Sequence, residues 1–162
     1  MKRSDDQLAP FTRKIWVRAD AASLQHAWTN PSEIVRWFVN KCAYFDAEGG
    51  EAEEAVAGGT YRWEWIEGTT EQSKVIAVEQ GVLRFGWFKD KGEVEARFTE
   101  AGDETLMELT QCMNDGTEAE RLDAQVDCKL GWTFFLANLK SVYEGGLDLR
   151  ETDPERVPVL NY

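Results

Sequence analysis

From Phe11 to Arg18 apolar and polar side chains alternate, with Phe11, Arg13, Ile15 and Val17 on one side and Thr12, Lys14, Trp16 and Arg18 on the other. A period of two with β-branched and aromatic residues predicts a strand. Asp20 then offers an N-cap for a short helix carrying Leu24, Ala27 and Trp28. Asn30-Pro31-Ser32-Glu33 is a stronger start signal, with a capping Asn, a Pro at the first helical position and a Glu three residues after the cap. The second short helix carries Ile34, Trp37 and Phe38 inward.

Between Cys42 and Met113 the period of two returns. Strands are predicted over 42–47, 60–66, 72–79, 82–89, 93–99 and 104–113, separated by turns containing Gly, Asp and Glu. The stretch Glu48 to Gly59 holds two Gly pairs and four acids without apolar periodicity, which predicts a mobile loop. From Glu118 to Glu144 there is no Pro and the only Gly is Gly131. Trp132, Phe135, Leu136, Leu139 and Tyr143 form one helical face, which Leu122, Val126 and Lys129/Leu130 extend less regularly. Gly145-Gly146 supplies the stop.

This order has few physical solutions. Sequential antiparallel strands form a twisted sheet with one apolar face, and only the last helix has a stripe large enough to cover it. The expected fold is α+β, a curved antiparallel sheet of about seven strands over a long C-terminal helix, with two short helices after the first strand. One domain is expected across residues 1–162. Residues 1–9 and 152–162 are expected to be flexible or peripheral tails.

Composition narrows the function. Seven Trp, eight Phe and four Tyr exceed what packing a small domain requires, and the net charge is −12. That charge opposes nucleic acid and anionic membrane, which need a surplus of Lys and Arg, and suits solubility or a basic partner. Cys42, Cys112 and Cys128 are odd in number and widely spaced, as expected of reduced thiols in a cytoplasmic protein. The N-terminus lacks the apolar run of a signal peptide, and no apolar stretch is long enough to span a bilayer.

Catalytic patterns are scarce. His26 is the only histidine, which rules out a two-His metal site, and it is expected at the surface. Asp46 to Ala57 fails as a calcium loop, with Glu51 where Gly is needed and Ala57 where Glu is needed. The Gly pairs lack a following Lys-Ser/Thr and make no phosphate loop. No cofactor or metal is expected.

Ala19-Asp20 through Trp28, Thr29-Asn30-Pro31-Ser32-Glu33 and Trp37-Phe38 resemble the opening of the START-related superfamily that includes the birch-pollen allergen. Gly58-Gly59-Thr60-Tyr61, Gly131-Trp132 and Leu136…Leu139-Lys140…Glu144-Gly145 narrow the resemblance. They are similar to the C-terminal domain of the activator of the ninety-kilodalton heat-shock chaperone's ATPase and its bacterial single-domain relatives, over roughly residues 11–150. The resemblance implies a helix-grip fold with a cavity between sheet and helix, and a possible part in the stress response. Relatives bind lipids, steroids or polyketides, catalyse cyclisations, or dock on a chaperone, and a fold does not choose among these.

The strand faces supply the candidate site. Tyr61, Trp63 and Trp65 share one face, Phe85 and Trp87 another, and Met107, Leu109, Gln111 and Met113 a third. Turned toward Trp132, Phe135 and Leu136, they form a wall of rings and thioethers. The candidate ligand-binding residues are Trp37, Trp63, Trp65, Phe85, Trp87, Met107, Leu109, Gln111, Trp132, Phe135 and Leu136. Two readings stay open. In the first, a non-catalytic binding module holds a small apolar ligand, such as a lipid or aromatic metabolite, in the cavity, with Gln111 as polar anchor. In the second, the core is filled and the domain docks on a chaperone or another protein. An enzyme ranks third.

Overall fold

Residues 8–159 and 161 are described by the computed structural model. Strand β1 (Phe11–Val17) is followed by helices α1 (Ala21–Thr29) and α2 (Pro31–Ile34). Seven strands come next: β2 (Lys41–Phe45), β3 (Glu51–Ala52), β4 (Thr60–Glu64), β5 (Thr70–Glu79), β6 (Val82–Trp87), β7 (Gly92–Ala101) and β8 (Glu104–Met113). The long helix α3 (Glu118–Tyr143) closes the order. All eight strands join one antiparallel sheet, in the order β1-β8-β7-β6-β5-β4-β2-β3. This is the expected α+β helix-grip arrangement.

The sheet curves because β5 serves two neighbours in turn. Thr70–Lys74 pairs with β4 and Val75–Glu79 pairs with β6, with a register shift between Val75 and Ala77. Such an irregularity bends a strand and increases its twist. Alternate residues of β6, β7 and β8, among them Leu83, Phe85, Val94, Ala96, Met107, Leu109 and Gln111, are buried on the inner face.

Local chemistry sets the helix starts. Asp20 accepts from the Ser23 amide at 2.8 Å, and Asn30 accepts from the Ser32 amide at 2.9 Å ahead of Pro31. Thr117 and Glu120 form a reciprocal capping box at the head of α3. Gln25 of α1 clasps the β5–β6 turn by accepting from the Gly81 amide at 2.9 Å and donating to the Glu79 carbonyl at 2.6 Å. Gly81 sits at φ +77°, where a side chain would be strained.

Three expectations are corrected. The sheet has eight strands, because the acidic stretch after β2 contributes the two-residue β3. That stretch is docked against the core. Ala55 is buried, its amide donates to the Thr29 carbonyl at 2.8 Å, and Gly58 and Gly59 exchange backbone bonds with Val75. The buried stripe of α3 also rotates upstream of Trp132, continuing through Cys128 and Gln125, while Val126 and Leu130 face solvent at 49% and 70% exposure. Gln125 is drawn inward because its amide donates to the Leu8 and Ala9 carbonyls.

After α3 the chain returns over α2. Asn138, fully buried, donates to the Trp37 carbonyl at 2.8 Å and to Asp148 at 2.9 Å, and accepts from the Leu149 amide at 2.7 Å. Arg150 donates to the carbonyls of Val35 and Val39 and pairs with Asp148 at 2.7 Å. Beyond it, the Glu151 amide donates to the Asn161 carbonyl at 2.7 Å.

Candidate functional site: an aromatic pocket between helix and sheet

Most of the aromatic wall is packing. Trp28 is fully buried and its ring lies 4.7 Å from Trp37, 5.9 Å from Phe85 and 5.8 Å from Trp132. Trp37 donates its indole N–H to the Ala27 carbonyl at 3.0 Å. Trp63 is sandwiched between Tyr61, at 3.9 Å, and Phe85, at 5.2 Å. The Tyr61 hydroxyl donates to the Gly86 carbonyl at 2.6 Å, and the Tyr44 hydroxyl donates to the Trp28 carbonyl. Burial holds both phenol pKa values above their ordinary range. Met107, Leu109 and Leu136 lie in the same core.

At the ends of β4 and β6 the packing opens. A pocket of about 180 Å³ lies there, walled by the rings of Phe38, Trp65, Trp87, Trp132 and Phe135. Helix α3 adds Cys128 and Gly131, with Asp127 at the side. Of the eleven candidate residues, Trp65, Trp87, Trp132 and Phe135 border this space. Trp37, Trp63, Phe85, Met107, Leu109, Gln111 and Leu136 are not among its lining residues, and all seven are buried.

Polar bonds fix the walls. The Trp132 indole N–H donates to Gln111 Oε1 at 2.7 Å, and the Trp87 indole N–H donates to Cys128 Sγ at 3.4 Å. An indole N–H can only donate, so Gln111 must turn its oxygen toward Trp132. Its Nε2, buried, has no hydrogen-bond partner. Gln111 thus anchors a wall ring and does not line the pocket. Burial pushes the Cys128 thiol pKa up, which keeps it protonated and a poor nucleophile at neutral pH.

Gly131 borders the space from α3. A Cβ built there meets no heavy atom within 4 Å, so packing does not require glycine at this helix position. Glycine inside a helix costs about 1 kcal/mol relative to alanine. The turn after β6 supports Trp87 from outside. Phe88, Lys89 and Asp90 all have positive φ, of 53°, 54° and 64°. They are held there by Glu71 accepting from the Lys89 amide at 2.7 Å and Asp90 accepting from the Lys74 amide at 3.1 Å.

A family model described as "Activator of Hsp90 ATPase homolog 1-like protein" matches residues 18–144. The chain belongs to this family. Solved structures of similar proteins agree on the fold. SSP2350 from Staphylococcus saprophyticus aligns with a TM-score of 0.70 at 18% identity, covering 88% of this chain and 96% of that one. The Aha1 dimer from Colwellia psychrerythraea aligns at 0.68 and 18% identity, over 85% and 98% of the two chains. CalU16 from Micromonospora echinospora aligns at 0.65 and 20% identity, over 86% and 77%. A search of curated proteins gives no significant match by sequence.

Within this Hsp90 ATPase activator-like chain, a second depression of about 230 Å³ lies across Phe38 and Trp65 from the first, with Arg150, Asp148 and Glu151 on its rim. Sequence reasoning missed Phe38, Cys128, Gly131 and Asp127 as pocket residues. The signal for two of them was present, since Cys128 is one turn before Trp132 and Gly131 is the sole break in the helix pattern. Among the described residues, no three His, Cys, Asp or Glu side chains gather as a metal site. No helix among them is long and apolar enough to cross a membrane. His26 is half-exposed and lies 3.5 Å from Glu54.

Proposed function

We propose that this chain is a non-catalytic binding module that takes a small, largely apolar group into the pocket between α3 and the ends of β4 and β6. The observation that carries this reading is a space walled by five rings and bordered on α3 by Gly131, where a Cβ would meet no heavy atom within 4 Å. Ligand pockets are mostly apolar with few polar groups, which matches these walls. The volume is below the ~300–1,000 Å³ of sites for drug-sized ligands, so the occupant is one small group or the end of a longer molecule.

The test is a melting-temperature and Trp-emission titration with a panel of small apolar ligands on the native chain and on Gly131→Leu. A ligand bound only by the folded state raises the melting temperature by mass action. The native chain should respond saturably and Gly131→Leu, folded and with the space filled, should not. Equal responses from both proteins, or none from either, would refute the pocket.

The second reading, docking on a protein partner, draws support from a different surface. Leu122, Val126 and Leu130 recur every four residues on α3, and the last two are exposed. Titrating Val126→Glu and Leu130→Glu variants against the ninety-kilodalton chaperone, with ATP turnover as readout, separates this reading from the first.

A further inference from the structure

Most of the pocket walls meet at steep angles, while Phe38 and Trp132 stack on each other at 25° with centroids 5.2 Å apart, too close to admit a ligand between them. Trp65 stands at 75° to Trp87 and at 89° to Phe38, and Phe135 stands at 86° to Phe38. Two parallel rings would make a slot for a flat molecule, whereas rings at right angles make a corner that meets a rounded group on several sides. The chemistry of the corner is equally one-sided. Three of its rings are indoles, the aromatic side chain whose face attracts a cation best. Asp127 is the only charged residue in the lining, and it makes no salt bridge among the described residues. No lysine or arginine lines the space.

Resting on the binding-module reading above, we infer that the pocket is an aromatic cage for a methylated ammonium head group, with Asp127 as its counter-charge. A quaternary ammonium is round, covered in methyl groups and positively charged. It would bury its methyls against the rings, gain cation–π attraction from the indole faces and place its charge within reach of a carboxylate. It also needs no hydrogen-bond acceptor, and the walls offer almost none.

The experiment compares choline with its neutral carbon isostere, in which a tert-butyl group replaces trimethylammonium, by Trp emission at low salt. Choline should bind saturably and about three- to thirtyfold more tightly than the isostere. Asp127→Asn should weaken choline by about two- to fivefold and leave the isostere unchanged, the size expected of an exposed carboxylate. Gly131→Leu should abolish choline binding, which separates the cage from diffuse attraction to an acidic surface. Equal or tighter binding of the isostere would overturn the cage and leave the binding-module reading standing. An apolar panel that binds where choline does not would do the same, whereas choline binding that survives Gly131→Leu would overturn the cage by placing the choline outside the pocket. Failure of choline, isostere and the whole apolar panel together would overturn both.

Discussion

Trp132 of α3 and Gln111 of β8 are joined inside the core by an indole-to-amide hydrogen bond of 2.7 Å. Trp132 is 2% exposed and Gln111 fully buried, so neither partner can turn to water instead. The bond fixes the tilt of the Trp132 ring, whose other flank is a wall of the pocket.

Gln111→Leu should therefore destabilise the protein by about 1 kcal/mol, since leaving the Trp132 donor unpaired is offset in part by removal of the already unpaired Nε2. Trp132→Ala removes the ring as well and should cost about 3–5 kcal/mol. Urea unfolding measures both. A loss within about 0.5 kcal/mol for either would mean that helix and sheet are not coupled through this pair.

Gly131→Ala should act in the opposite direction. Alanine meets no steric conflict there and lowers the entropy cost of the helix, so stability should rise by about 0.5–1 kcal/mol. A drop in the urea midpoint would show that the helix needs glycine at this position for packing.

The acidic stretch should resist editing. Replacing Glu51–Ala57 by an equal length of Gly and Ser removes the buried Ala55 side chain and loosens the segment whose amide reaches Thr29. The expected loss is about 1–3 kcal/mol, read as a lowered melting temperature. An unchanged melting temperature would show that the stretch is a free loop.

Asn138 should hold the returning C-terminal segment. Asn138→Ala deletes bonds to Trp37, Asp148 and Leu149 at once. The Leu149 amide, protected by Asn138 Oδ1 at 2.7 Å, should then exchange its hydrogen much faster while the amides of β7 and β8 keep their protection. Unchanged exchange at Leu149 would place the anchor elsewhere, on Arg150.

Stability should fall in alkali. Burial pushes the Cys42 thiol up to about 11 and raises the Tyr44 and Tyr61 phenols above their ordinary range. Folded pKa values above the unfolded ones mean that the unfolded chain loses these protons first. The stabilisation is complete below the unfolded thiol value of about 8.5 and declines as pH rises past it, more steeply beyond about 10 where unfolded tyrosine titrates. Each group adds up to about 1.4 kcal/mol per pH unit to the slope. Denaturant midpoints between pH 7 and 10.5, taken under reducing conditions, should show a decline that starts near 9. A flat profile would mean that these groups are open to water.

Element type was legible wherever a period repeated. The alternation in β1 and in β6 to β8, and the stripe from Trp132 to Tyr143, both reflect burial on one face, and burial is what the pattern encodes. Boundaries and site were less legible. The expected strand 60–66 stops at Glu64, since Trp65 and Ile66 lie in a turn in which the Trp65 amide donates to Thr69. Ala96, on the same face as Val94 and Phe98, is fully buried between Leu83 and Leu109 and is not among the residues lining this pocket. Which rings fill a core and which border a gap depends on three-dimensional fit, and sequence periodicity carries no record of it. The upstream half of α3 shows the same limit, because Gln125 is buried through bonds to a segment 116 residues away in sequence while the apolar Leu130 is not.

The pocket is tested most directly by the indole ¹⁵N–¹H spectrum, where each of the seven tryptophans gives its own signal. As a small apolar or methylammonium ligand is added, the signals of Trp65, Trp87 and Trp132 should shift together along one saturable curve. Those of Trp28, Trp37 and Trp63, buried and away from the space, should hardly move, and exposed Trp16 should not respond. A spectrum in which the three wall signals stay fixed through the whole ligand panel, or in which only Trp16 shifts, would contradict a binding pocket between α3 and the sheet.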